Sequence, residues 1–279
     1  MPDIAPPTPA SPGLPPDEAV VTRPVWCPQC GYSVLGLRTS GVCPECGCPV
    51  ERALKGNLLQ FAAPEYVRML ARGALLAALG AFASLIAALG VPAATVAVAL
   101  YGLRPWMPQV EAIGGALSLV AAGVGLLGWW LLSAPDPGWR GVDESLSARK
   151  LVRAAVVVQA ITATCSTLLP LLVSQGFIQP GPGRVDAVSA AKIGTLIAGS
   201  IAWLVAFFAS MQFLQRLAGR IPDESLRTSA MQFMWVGPIL YVLLIPCLLV
   251  GPIIATILYI MILSEARSKI ARVLRGIAP

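Results

Sequence analysis

Residues 231–263 read MQFMWVGPILYVLLIPCLLVGPIIATILYIMIL, a run of 33 residues without a charge that contains Pro238, Pro246 and Pro252. A helix needs ~20 apolar residues to cross the hydrocarbon core. The run is therefore one kinked span or two short ones joined near Pro246 to Pro252. Four further apolar runs, 70–91, 112–133, 152–173 and 192–214, each have the length of one span. Basic residues choose between five spans and six. With a cytoplasmic N-terminus, six spans put 17 of the 20 Lys and Arg inside and leave Arg104, Arg184 and Lys192 outside. Five spans move Arg267, Lys269, Arg272 and Arg275 outside as well, so the positive-inside rule favours six.

Composition agrees with a bilayer. Of 279 residues 56% are hydrophobic and 12% charged, against roughly 25% charged in soluble domains, and mean hydropathy is +0.74. Histidine is absent, which removes the usual general base near neutral pH, His-based triads and His-containing metal sites. The net charge of +6 comes from cations beside the apolar runs, where they orient helices and meet anionic lipid. Residues 1–24 are rich in proline, with no apolar run, and read as a disordered leader rather than a signal peptide. Pro9 to Pro12 has the Pro-x-x-Pro spacing of groove-binding segments.

Between leader and spans stand Cys27-Pro-Gln-Cys30-Gly and Cys43-Pro-Glu-Cys46-Gly. Zinc takes four ligands in a tetrahedron, and two Cys-x-x-Cys turns each present two sulfurs, so the pair closes the shell without an open position. Proline stiffens each turn, and the following glycine permits positive φ and lets backbone N–H groups approach the sulfurs. The 12 residues between Cys30 and Cys43 imply a minimal ribbon. Val34, Leu35, Leu37 and Val42 are its expected apolar centre, flanked by Trp26 and Tyr32. So small a unit depends on its metal. A redox dithiol lacks its βαβ context, and structural disulfides require an oxidising compartment. Iron shares the four-thiolate chemistry and stays open beside zinc. Cys48 is a candidate substitute ligand or a spare thiol. With Arg38 and Glu45 the only charges between Trp26 and Val50, the ribbon lacks a phosphate-binding surface; protein docking is expected and nucleic acid is not.

A faint repeat spans the membrane half. Asp143-Glu144-Ser145-Leu146 recurs as Asp223-Glu224-Ser225-Leu226, Ile113-Gly114 recurs as Ile193-Gly194, and a looser copy starts at Pro64-Glu65. Three hairpins are implied. The acidic pairs read as helix caps, with Pro222 as an entry signal. No ionisable residue lies mid-span, which argues against a proton or ion pathway. Gln159, Thr162, Ser166 and Pro170 form a weak polar stripe. Two small-residue faces, Gly73, Ala77, Ala81 and Gly114, Ser118, Ala122, suit close helix packing, and Cys165 and Cys247 read as small apolar residues. In the segment EARSKIARVLRGIA, Ile270, Val273, Leu274 and Ile277 share one face apart from Arg267, Lys269, Arg272 and Arg275, as in a helix lying on an anionic leaflet.

The expected fold is an all-α polytopic membrane protein of about six transmembrane helices with a small N-terminal zinc ribbon. Its parts are a leader at 1–24, the ribbon at 25–50, a juxtamembrane linker at 51–69, the bundle at 70–264 and a basic amphipathic helix at 265–279. The doubled CPxCG motif, the Cys30-Gly31-Tyr32 step and Leu217-Ala218-Gly219-Arg220-Ile221-Pro222-Asp223 resemble multi-pass proteins of planctomycete-type bacteria that carry N-terminal zinc ribbons. The resemblance implies zinc on Cys27, Cys30, Cys43 and Cys46 and a bacterial inner membrane, and implies no activity. Function is expected to be non-enzymatic, with the ribbon docking a cytoplasmic protein; a small-molecule or lipid permease is the alternative.

Overall fold

The computed structural model describes residues 19–22, 24–54, 58–137, 147–174, 176–177, 187–221, 224–243 and 250–276. Regular structure among them is helical: α1 (Val50–Leu54), α2 (Pro64–Leu100), α3 (Met107–Leu132), α4 (Ala148–Ser174), α5 (Ala187–Arg220), α6 (Glu224–Leu243) and α7 (Val250–Leu274). The described part of the ribbon has isolated β-bridges in place of strands. The chain is an all-α polytopic membrane protein with a cysteine ribbon at its N-terminal end. The Pro9 to Pro12 spacing in the expected leader, the Asp143–Leu146 copy of the repeat, Arg184, Pro222, Asp223, Pro246, Cys247 and Ile277 lie outside the described residues.

The 33-residue run separates into α6 and α7. Pro238 sits inside α6, and Pro252 stands in the first turn of α7, where its missing N–H has no helical acceptor to lose. By length and composition α2, α3, α4, α5 and α7 can each cross a bilayer. The 20-residue α6 opens on the polar ESLRTS and completes the bundle between α5 and α7.

Two boundaries differ from the sequence expectation. The first span starts at Pro64 and runs through Pro92 to Leu100, 37 residues or ~55 Å at 1.5 Å per residue, absorbing the end of the expected linker. At the other end, the expected amphipathic tail is a continuation of α7. Ile270 is fully buried, and Val273 and Leu274 pack on the bundle core, so protein rather than lipid covers that apolar face.

From α2 onward each helix packs on the next in the chain, and α7 returns to α2, closing a ring. Contacts at one rim show that directions alternate. The Tyr66 hydroxyl at the start of α2 donates to the Ala134 carbonyl just past α3, at 3.2 Å. Arg220, ending α5, pairs with Asp136, and Arg153, early in α4, lies 4.5 Å over the Trp130 ring. Ser225 of α6 donates to Glu265 of α7 at 3.0 Å. Alternation gathers cations at this rim: Arg68 and Arg72 on α2, Arg149, Lys150 and Arg153 on α4, Arg216 and Arg220 on α5, Arg227 on α6, and Arg267, Lys269, Arg272 and Arg275 at the end of α7. Only Arg104 and Lys192, among the described residues of the bundle, belong to the opposite ends.

The tightest seam joins α2 and α3. A Cβ on Gly80 would lie 2.3 Å from the Gly125 backbone, and one on Gly128 would lie 2.2 Å from the Ala77 amide nitrogen. Backbones this close gain dispersion that a larger residue would prevent. The facing surface on α3 is thus Gly114, Ala121, Gly125 and Gly128, so the expected Gly114 lies on it, whereas the expected Ser118 and Ala122 do not. Ser118 is exposed, and Gly114 accommodates Val91. Its repeat counterpart Gly194 faces open space, so the two glycines do different work.

Candidate functional site

The two CPxCG turns have the same backbone. The Gly31 amide donates to the Cys27 carbonyl and the Gly47 amide to the Cys43 carbonyl, both at 2.9 Å. The Cys27 amide donates to Tyr32 and the Cys43 amide to Cys48, both at 2.7 Å. Bridges Trp26–Ser33 and Val42–Pro49 close the turns at matching positions. Gly31 and Gly47 take φ of 77° and 70°, the left-handed region that an L side chain resists. Each turn thereby aims two sulfurs at the other.

The sulfurs of Cys27, Cys30, Cys43 and Cys46 all lie within 4.8 Å of one another. Cys27 to Cys46 and Cys30 to Cys43 are 3.5 Å apart, beyond the ~2.05 Å of a disulfide. Bonds of ~2.3 Å in a zinc–thiolate tetrahedron place sulfurs ~3.8 Å apart. The donor set therefore fits one metal ion held by the four sulfurs the sequence singled out.

Electrostatics of the thiols fit the same use. Burial raises Cys27, but the backbone N–H groups of Gln29 and Cys30 and the neighbouring Cys46 and Cys30 thiols outweigh it and hold Cys27 down at about 7. Cys30 is drawn down by the Tyr32 backbone, yet desolvation and the thiols of Cys46, Cys43 and Cys27 push it up to about 12. Cys46 is also raised. The protein alone thus favours the thiolate at Cys27 over Cys30 and Cys46, and a cation at the centre supplies the field that ionises those two.

The ribbon core comprises Val21, Cys27, Val34, Cys43, Cys48, Val50 and Ala53, with Val25, Leu37, Cys46 and Leu54 packed against it. Leu35 and Val42, expected inside, are instead 51% and 58% exposed, and Trp26 is 64% exposed. Val21 belongs to the core because the Val21 amide donates to Leu37 and the Gly36 amide to Val21. Pairing therefore reaches back into residues expected to be leader. Cys48 is buried at 4%, and its thiol faces the Pro49 carbonyl at 3.8 Å. It stands where Tyr32 stands in the first turn, so it is a core side chain outside the four-sulfur group.

No protein family model, curated protein or solved structure matches this chain.

The bundle holds a second feature. A cavity of about 770 Å³ lies inside the ring and takes lining residues from all six long helices. The expected stripe reaches it through Gln159, Thr162 and Ser166. Ala81 and Ala122, expected at helix contacts, also line it. Aromatic rings of α5, α6 and α7 line it as well: Trp203 and Phe207 stack at 5.9 Å, Phe207 meets Phe233 at 5.6 Å, and Phe233 meets Tyr259 at 6.4 Å. The Trp129 indole donates to the Tyr259 hydroxyl at 2.6 Å, tying α3 to α7 across this space. Cys165 is exposed on α4, apart from any metal group among the described residues.

Proposed function

We propose that this is a non-enzymatic bacterial inner-membrane protein whose zinc-loaded ribbon lies in the cytoplasm and docks or assembles a cytoplasmic protein. The observation that carries the reading is the outward turn of Trp26, Leu35 and Val42 from a ribbon whose core is otherwise closed. Exposed large apolar side chains on so small a unit suit a protein surface better than a phosphate backbone. Bound at Cys27, Cys30, Cys43 and Cys46, zinc would supply structure alone, because four protein ligands leave no position for a water or substrate. The rim of cations on α2, α4, α5, α6 and α7 supports a cytoplasmic location for the end that receives the ribbon, and a reducing compartment suits its thiolates. The test compares proteins crosslinked to the full-length chain with those crosslinked to the W26S/L35S variant. Selective loss of a partner at unchanged zinc content supports docking; an identical set of partners sinks it.

The cavity favours a second reading, a small-molecule or lipid permease. Uptake by purified protein in liposomes, abolished by Gln159→Leu, would support it, and full uptake by that variant would refute this path.

A further inference from the structure

We infer that the cavity is a binding site for one neutral, hydroxyl-bearing amphiphile, an acyl chain with an uncharged alcohol head. The inference rests on the permease reading only for its location and stands as a binding site whether or not transport occurs.

Charge sets the first limit. None of the residues lining the cavity is Asp, Glu, Lys or Arg. A phosphate, carboxylate or ammonium inside would be desolvated with no counter-charge, a cost that an uncharged head avoids.

Hydrogen-bond polarity sets the second. Five of the hydroxyl protons on the wall are committed to carbonyls of their own helices. Thr162 donates to Gln159 at 3.2 Å, Ser166 to Ala163 at 2.9 Å, Ser200 to Leu196 at 2.9 Å, Ser210 to Phe207 at 2.7 Å and Thr256 to Pro252 at 2.7 Å. The Trp129 N–H is likewise directed at Tyr259. A hydroxyl that donates in this way still offers its oxygen lone pairs. These five oxygens therefore present acceptors, the Gln159 amide adds a carbonyl acceptor and an NH2 donor, and the wall suits a guest whose O–H group both donates and accepts. An ester or hydrocarbon without a hydroxyl leaves those oxygens unmet.

Shape sets the third. Trp203, Phe207 and Phe233 offer an aromatic surface on α5 and α6, and about 770 Å³ lies within the ~300–1,000 Å³ usual for sites that enclose one small ligand. An acyl chain on that surface leaves its head to Gln159, Thr162 and Ser166.

The test is native mass spectrometry of the full-length protein in detergent with three probes that share one chain: 1-oleoylglycerol, oleic acid and methyl oleate. One molecule of 1-oleoylglycerol per chain is expected, with affinity about tenfold above either comparator, as one or two good hydrogen bonds provide. Q159L/T162V should lose that preference while keeping the parent elution profile. Equal binding of all three probes, or no retained 1-oleoylglycerol, overturns the inference, and the comparison on unaltered protein decides even if the variant misfolds. Selective binding without liposome uptake would remove the permease reading and leave this site; uptake of another solute without selective binding would do the reverse.

Discussion

Arg220 at the end of α5 clasps Asp136, 84 residues earlier in the loop after α3. Their side chains are 18% and 8% exposed, and the Arg220 guanidinium also lies 5.9 Å over the Tyr66 ring of α2. Three helix ends meet in this cluster. Arg220→Ala strips the Asp136 carboxylate of its guanidinium, and breaking a buried pair from one side typically costs about 3–5 kcal/mol. Thermal unfolding in detergent should show a large loss for R220A and a smaller one for the R220A/D136A double variant. Additive losses would show that the two side chains act independently.

Gly80 and Gly90 lie on the same helix and give a matched pair. A Cβ on Gly80 meets the Gly125 backbone at 2.3 Å, whereas one on Gly90 meets nothing within 4 Å. Gly80→Ala should destabilise by about 1–3 kcal/mol through overpacking against atoms that cannot swing aside. Gly90→Ala should be neutral or stabilising by up to ~1 kcal/mol through helix propensity. Melting temperatures of the two variants check the contrast.

These contacts also mark what the sequence makes legible. Four apolar runs each announce a helix because bilayer thickness sets a length that composition alone can display, whereas the fifth run divides into two only once basic residues are counted. Their true ends at Pro64, Leu100 and Leu274 are hidden, because a helix that leaves the membrane continues through polar residues that hydropathy treats as loop. The four cysteines are legible because local turn geometry dictates their spacing. The ribbon core is half legible: Val34 and Leu37 lie in or against it as expected, Leu35 and Val42 are exposed though expected inside, and Val21 joins through pairing with Leu37 that no local pattern signals. Asp136 was missed as a partner of Arg220 because nothing near either residue names the other. The stripe at Gln159, Thr162 and Ser166 was visible, but the cavity it lines exists only once six helices close a ring.

Cys48 and Cys46 separate core from ligand. Cys48→Ala should retain one metal ion and lose about 1 kcal/mol of ribbon stability from the small void. Cys46→Ala should lose metal. Metal content of both variants, with amide exchange at Val34 and Val50 reporting the ribbon fold, decides the assignment.

Acid should release the metal. Cys27 sits near 7, below the ordinary thiol value of ~8.5, so the stability its thiolate provides is present above ~8.5 and is lost as pH falls through about 7. Cys30, pushed up to about 12, is a thiol in the metal-free ribbon until high pH and must surrender its proton to a metal. Both effects make protons compete with the ion. Chelator titrations should show tighter binding at pH 8 than at pH 6, with helix content of the bundle unchanged when metal leaves, since ribbon and bundle have separate cores. Equal affinity at the two pH values would contradict thiolate ligation.

The most direct test is elemental analysis of the purified full-length protein beside variants in which the cysteines are changed to serine in pairs. One zinc per chain is expected in the parent, with loss in both C27S/C30S and C43S/C46S. Stoichiometric zinc retained by C27S/C30S would contradict a single four-thiolate site joining the two turns.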